Sequence, residues 1–148
     1  MIPLVIHYMK SYSSIWIHAV WTTKNRVPLL HKNFRIELFI QTKQNAEEYG
    51  YILDTLNGIE DHMHCLIRLL PDQKLTSVIK QIKGSSSHWI NSRDLLNIAF
   101  AWQAGYGALS VSPSEVHKVR QYIIQQEKHH KKWNLDEELE RFEYYRKT

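Results

Sequence analysis

Near the middle of the chain two runs rich in strand-forming residues, "YILDTLNG" (51 to 58) and "HMHCLIRLL" (62 to 70), stand almost back to back. A tight turn through Asn57, Gly58 and Asp61 joins them, so they must form an antiparallel hairpin. In the second strand, side chains two apart share a face. Met63, Cys65, Ile67 and Leu69 therefore make a continuous apolar face for helices to cover. His62 and His64 point the other way, onto the expected open face of the sheet.

The other elements follow from local pattern. "SSIWIHAVWTT" (13 to 23) is rich in β-branched and aromatic residues and reads as a strand, and Pro28 ends the segment after it. Asn33 is suited to cap a helix running to Tyr49, with Phe34, Leu38 and Ile40 inward and Gly50 as its stop. From Leu75 the spacing is helical, with Leu75, Val78, Ile79 and Ile82 on one side and Lys80 and Lys83 elsewhere, continuing past Gly84 to about Asn91. "FAWQAGYGALSV" (100 to 111) supplies a last strand interrupted by two glycines. In "SPSE" (112 to 115), Ser112 can cap, Pro113 suits the first helical position and Glu115 completes a capping box, starting a helix to about Lys131. The order β-α-β-β-α-β, then α, is the α+β ferredoxin-like arrangement: a four-stranded antiparallel sheet with helices on one face. "NLDEELERFEYYRKT" (134 to 148) reads as a short charged helix or tail.

A chain of 148 residues suits one core, and no repeat or flexible linker divides it. Its 43% hydrophobic and 11% aromatic content is that of a folded domain. No apolar run approaches the roughly 20 residues that cross a bilayer, so no membrane partner is expected. The start fits a signal peptide poorly, and Met9 is as good a start as Met1. The single cysteine, Cys65, has no internal disulfide partner and suits a reducing cytoplasm. A net charge of +4 leans toward an anionic partner without demanding one.

The histidine pair is either a surface feature of a chain with 9 histidines or half of a metal site. The capped helix offers further ligands. Val116, Val119 and Ile123 form its inward stripe, and Lys118, Tyr122, Gln126 and His129 or His130 follow on an adjacent one. The carboxamide oxygen of Gln126 is a candidate third ligand, and Tyr122 lies one turn earlier; the bland alternative is a packing tyrosine and a solvated glutamine. A phenol is a poor nucleophile at neutral pH unless a cation lowers the barrier to its attack. A divalent ion on a phosphodiester oxygen does that, and the resulting phosphotyrosine ester conserves the energy of the broken strand for rejoining without ATP.

"GIEDHMHCLIRL", "IKGSSSHWIN", "FAWQAGYGALSVS" and "VRQYIIQQEKHHKK", in that order, resemble the single-tyrosine HUH transposases of bacterial insertion sequences, including the REP-associated tyrosine transposases. HUH denotes His, hydrophobic residue, His. The resemblance covers residues 13–132 and sets apart an N-terminal extension, 1–12, and the C-terminal helix or tail, 133–148. It implies the ferredoxin-like (RRM-like) fold with a C-terminal helix carrying the catalytic tyrosine. It further implies that His62 and His64 bind Mg²⁺ or Mn²⁺, with Gln126 as third protein ligand and Tyr122 as nucleophile for a 5′-phosphotyrosine link. The substrate would be single-stranded DNA with hairpins at the ends of a mobile or repeat element, and the setting the bacterial cytoplasm, in association with the nucleoid. Because imidazole is not the first choice of Mg²⁺, Mn²⁺ is expected to serve at least as well.

Lys24, Arg26, Lys80, Lys83, Lys118 and Arg120 are candidates for a basic groove along the DNA backbone. Trp16, Trp89, Trp102 and Tyr106 either stack bases or pack the core, and "HHKK" (129 to 132) either touches phosphate or complements a helix end. Insertion-sequence members usually dimerise, with a flexible link before the tyrosine helix. Here that link reads "SVSPS", which Pro113 stiffens, so a homodimer is expected but a monomer with the helix docked on its own chain stays open. The rival readings are an inactive or domesticated RRM-like binder of single-stranded nucleic acid, and a replication initiator or relaxase. The latter generally carries a third histidine near the pair, which "DHMH" lacks.

Overall fold

The computed structural model describes residues 11–130, with Glu137 and Glu140 beyond them. The alternative start at Met9, most of the 1–12 extension, Lys131 and Lys132 of the "HHKK" run, and the rest of the final helix or tail lie outside the described residues.

Strand β1 (Ile15–Thr22) is followed by a single 3₁₀ turn (Lys24–Arg26) and helix α1 (Lys32–Glu48); β2 (Ile52–Gly58) and β3 (His62–Leu69) lead to α2 (Leu75–Ser92) and β4 (Gly107–Val111). A 3₁₀ turn, Pro113–Glu115, enters α3 (Val116–Ile124), which breaks at Gln125 before a short α4 (Gln126–His130). The strands lie in the order β2-β3-β1-β4, and every pairing is antiparallel. This is the expected α+β ferredoxin-like sheet.

One face holds the main core. Ala19 and Trp21 from β1, Met63, Cys65 and Ile67 from β3, and Leu53 from β2 meet Phe34 and Leu38 of α1 and Val78, Ile79 and Ile82 of α2. Burial pushes the Cys65 thiol up, out of reach of ordinary thiolate chemistry. Strict alternation would separate Leu53 from Leu56, yet both contribute to this core. The reason is a β-bulge: Leu53 pairs with Ile67 and Thr55 with the next residue, Leu66, so Asp54 is the extra residue.

Several local expectations need correction. Helix α1 starts from His31 with no side-chain cap, rather than from Asn33. Its buried residues include Phe34, Leu38 and Phe39, whereas Ile40 is 51% exposed. Two residues past Leu38 a helix has turned about 200°, so Ile40 cannot follow it inward. Gly50 ends the helix as expected, in the left-handed region at φ 79°.

The last strand is shorter than residues 100–111. Its first half is held as a loop: Asn91 bonds both the N–H and the carbonyl of Phe100, and Lys83 donates to the carbonyls of Gln103 and Gly105. Ser112 makes no capping bond and instead meets Ser114 Oγ at 3.1 Å, so "SPSE" forms the 3₁₀ turn rather than a capping box.

Candidate active site

The face bearing His62 and His64 is not open. Helix α3 lies across it, with Val116 and Ile123 packed on Leu66 and flanked by Trp16, Val111, Val119 and Tyr122. His62 is 0% and His64 1% exposed. Sequence alternation placed them on the correct face; only the tertiary structure shows that a helix of the same chain covers it.

Each imidazole is held through Nδ1. His62 Nδ1 meets Asp61 Oδ1 at 2.9 Å, so a residue that reads as a turn former also orients a ring. His64 Nδ1 meets Nε2 of His18 at 2.9 Å. His18 was missed in the sequence. Its signal was there, since it breaks an otherwise apolar strand on the face opposite Ile17, Ala19 and Trp21.

Tyr122 enters from α3, its ring centre 5.7 Å from that of His64 and 5.9 Å from that of His18, edge-on to both. Four residues later, Gln126 is fully buried. Its Nε2 faces the Tyr122 carbonyl at 3.4 Å, and its Oε1 has no hydrogen-bond partner among the described residues. A buried amide oxygen left so is costly unless something else uses it.

Three side chains, Arg120, Asn57 and Arg35, tie α3 and the short α4 that follows it to the rest of the fold. Arg120 grips the bulged Asp54 with two bonds, 2.8 and 3.0 Å. Asn57 on β2 donates to the carbonyls of Ile123 and Ile124 at 3.0 and 3.1 Å, where the helix breaks and those acceptors lose helical partners. Buried Arg35 of α1 reaches Glu127 at 2.9 Å. The Arg120 guanidinium, chiefly through its hydrogen bonds, holds the Asp54 carboxyl below the usual carboxylate range.

A sequence model of the IS200-like transposases matches residues 5–126. The chain belongs to that family. It is 25% identical over 114 residues to the ISDra2 transposase TnpA of Deinococcus radiodurans, covering 74% of this chain and 81% of that protein. A crystal structure of a candidate transposase from Deinococcus radiodurans R1 superposes with a TM-score of 0.64 at 24% identity, over 80% of this chain and 95% of the other. A REP-associated tyrosine transposase bound to a REP hairpin superposes at 0.56 with 17% identity, over 79% and 72%. These two likenesses concern the fold.

The transposase keeps its candidate DNA contacts in unequal states. Lys24 and Lys80 are exposed, and Lys118 is 77% exposed, 3.4 Å from Glu115. Arg26 lies 3.8 Å from Asp61. Lys83 and Arg120 are engaged within the fold, as described above, and partial burial lowers the Lys83 pKa. Among the aromatics, Trp89 and Trp102 pack the core, Trp16 is half-buried, and Tyr106 is exposed. Trp102 packs against that core with part of its surface exposed.

Among the described residues of the transposase, no three His, Cys, Asp or Glu side chains gather to hold a metal. A metal here would need a different third ligand. Imidazole nitrogens and a carboxamide oxygen are donor types that a divalent ion would accept. No helix among the described residues is long and apolar enough to cross a membrane.

Proposed function

We propose that the protein cleaves and rejoins single-stranded DNA through a covalent bond to Tyr122, with His62, His64 and Gln126 holding Mg²⁺ or Mn²⁺. The observation that carries this reading is the convergence of Tyr122, from a helix, on the buried His64 ring, 5.7 Å between centres, with the buried Gln126 four residues further along the chain. The bound ion supplies Lewis-acid charge withdrawal from a phosphodiester oxygen and orientation of the phosphate.

The residues do the rest. Asp61 and His18 orient the two imidazoles, and the edge-on contacts with His64 and His18 limit where the phenol can swing. Tyr122 Oη loses its proton and forms a bond to phosphorus as the bond from phosphorus to the 3′-oxygen breaks. The products are a 5′-phosphotyrosine and a departing 3′-oxygen, which takes up a proton to become a free hydroxyl and so balances, through solvent, the proton lost from Tyr122. Attack by another 3′-hydroxyl reverses the step and joins strands, with bond energy conserved. Hairpin-bearing DNA is the proposed substrate: the solved relative named above is bound to a REP hairpin, and Lys24, Lys80 and Lys118 offer charge to a backbone.

The test is incubation of wild type and Tyr122→Phe with end-labelled single-stranded DNA from the gene's flanks, with Mn²⁺ or Mg²⁺. A denaturant-resistant protein–DNA adduct formed by the wild type and not by Tyr122→Phe, with hairpin binding retained in both, is the expected result. Binding without an adduct under either metal refutes the catalytic reading and leaves a single-stranded nucleic-acid binder.

A further inference from the structure

We propose that His18 is a positioning residue that fixes the tautomer of His64, keeping the proton on Nδ1 so that Nε2 is presented as a metal-binding lone pair. The inference rests on the metal site proposed above and concerns a residue to which that proposal gave only an orienting contact.

A neutral imidazole carries one proton on two nitrogens, and only the bare nitrogen can bind a cation. For His62 the choice is made by a carboxylate: Asp61 Oδ1, 2.9 Å from Nδ1, can only accept, so the proton stays on Nδ1. For His64 the partner at Nδ1 is another imidazole, which can donate or accept. If His18 donates from Nε2, the His64 proton is driven to its own Nε2 and the ring cannot take a metal. If His18 accepts there, His64 Nε2 bears the lone pair. The direction of the bond between the two rings thus bears on whether the second histidine of the pair is a ligand.

The setting argues for a dedicated role. His18 is 6% exposed, and its strand neighbours in register are Leu66 of β3 and Leu109 of β4. An aliphatic side chain would suit such surroundings, and a buried imidazole has a desolvation cost that packing alone does not require. Its Nε2 lies within hydrogen-bond distance of a proposed ligand, as metal-bound histidines commonly show. The His18 and His64 rings are 5.1 Å apart, and Tyr122 abuts both, so the same pair also seats the phenol.

The experiment compares wild type, His18→Gln, whose carboxamide oxygen can still accept from Nδ1–H, and His18→Leu, which cannot. Metal-free protein labelled with ¹⁵N-histidine is examined by long-range ¹H–¹⁵N correlation at about pH 8, above the ordinary imidazole pKa. Mn²⁺ affinity is read separately from the electron paramagnetic resonance of free Mn²⁺. The expected result is a His64 proton on Nδ1 in wild type and His18→Gln. Mn²⁺ affinity should fall about tenfold or more in His18→Leu and recover most of the way in His18→Gln. A wild-type His64 protonated on Nε2 overturns the proposal even if the Leu variant fails to fold. Equal Mn²⁺ affinity in folded wild type and His18→Leu overturns it while leaving the metal site standing. Failure of the wild type to bind Mn²⁺ at all refutes the metal site itself, and this proposal with it.

Discussion

Replacing Asn57 should loosen the tyrosine helix more than its place on a neighbouring strand suggests. Its Nδ2 donates at 3.0 and 3.1 Å to the carbonyls of Ile123 and Ile124, acceptors left over by the break at Gln125. The first bond is partly buried and the second exposed, so in Asn57→Ala water replaces the second easily and the first poorly. With about 1 kcal/mol for the first and a few tenths for the second, the variant should lose roughly 1–1.5 kcal/mol. At a urea dependence of about 2 kcal/mol/M, the unfolding midpoint falls by about 0.5–0.75 M. Asn57→Asp is the sharper test, because a carboxylate cannot donate and faces two carbonyl oxygens with like partial charge. It should be less stable than Asn57→Ala at neutral pH. Adduct yield should fall further than hairpin binding in both, since Gln126 follows directly on the break. A midpoint unchanged within about 0.2 M in the Ala variant, or an Asp variant as stable as wild type, would refute the argument that Asn57 terminates this helix.

Other consequences are equally direct. Asp54 titrates below its ordinary value, chiefly because of Arg120, with help from Thr55 and Lys43 against the opposing effect of burial. Its folded pKa is thus below the unfolded one. Its stabilisation is fully present above the unfolded value near 3.8 and lost as pH falls through the folded one. Urea midpoints of wild type and Asp54→Asn should differ at neutral pH, and the gap should close only as pH falls below about 4 and through the folded-state value. A Cβ added at Gly58 would lie 2.2 Å from the His62 carbonyl oxygen and 3.0 Å from Met63 Cα, both backbone atoms of the histidine strand. Gly58→Ala should therefore cost about 1–3 kcal/mol and impair adduct formation, checked by urea unfolding and the DNA assay. Lys83→Met removes two bonds from Nζ to the loop carbonyls of Gln103 and Gly105. It should speed limited proteolysis at residues 103–106 with little change in hairpin affinity.

The division of labour within the sheet explains why this fold can hold such a site. Helices α1 and α2 bury one face and supply the main core, so the second face needs less apolar area for stability. It can carry His18, His62 and His64 on its strands because α3 lies across them and Asp61 supplies a charge-assisted bond. The bulge at Asp54 serves both faces, keeping Leu53 and Leu56 in the core while providing a carboxylate for Arg120.

From sequence alone, alternation in "HMHCLIRLL" determined that His62 and His64 share a face, whereas the single helix expected to about Lys131 is divided at Gln125, leaving Tyr122 in α3 and Gln126 in α4. The element order determined the four-stranded sheet. These are local properties, fixed by periodicities of two and 3.6 residues. What depended on distant segments was invisible to them. The helix break at Gln125 depends on Asn57, the short β4 on Lys83 and Asn91, and the engagement of Arg120 on a bulge 66 residues away. Above all, His18 and His64 are 46 positions apart and meet only because β1 and β3 pair in one register; no periodicity encodes that contact.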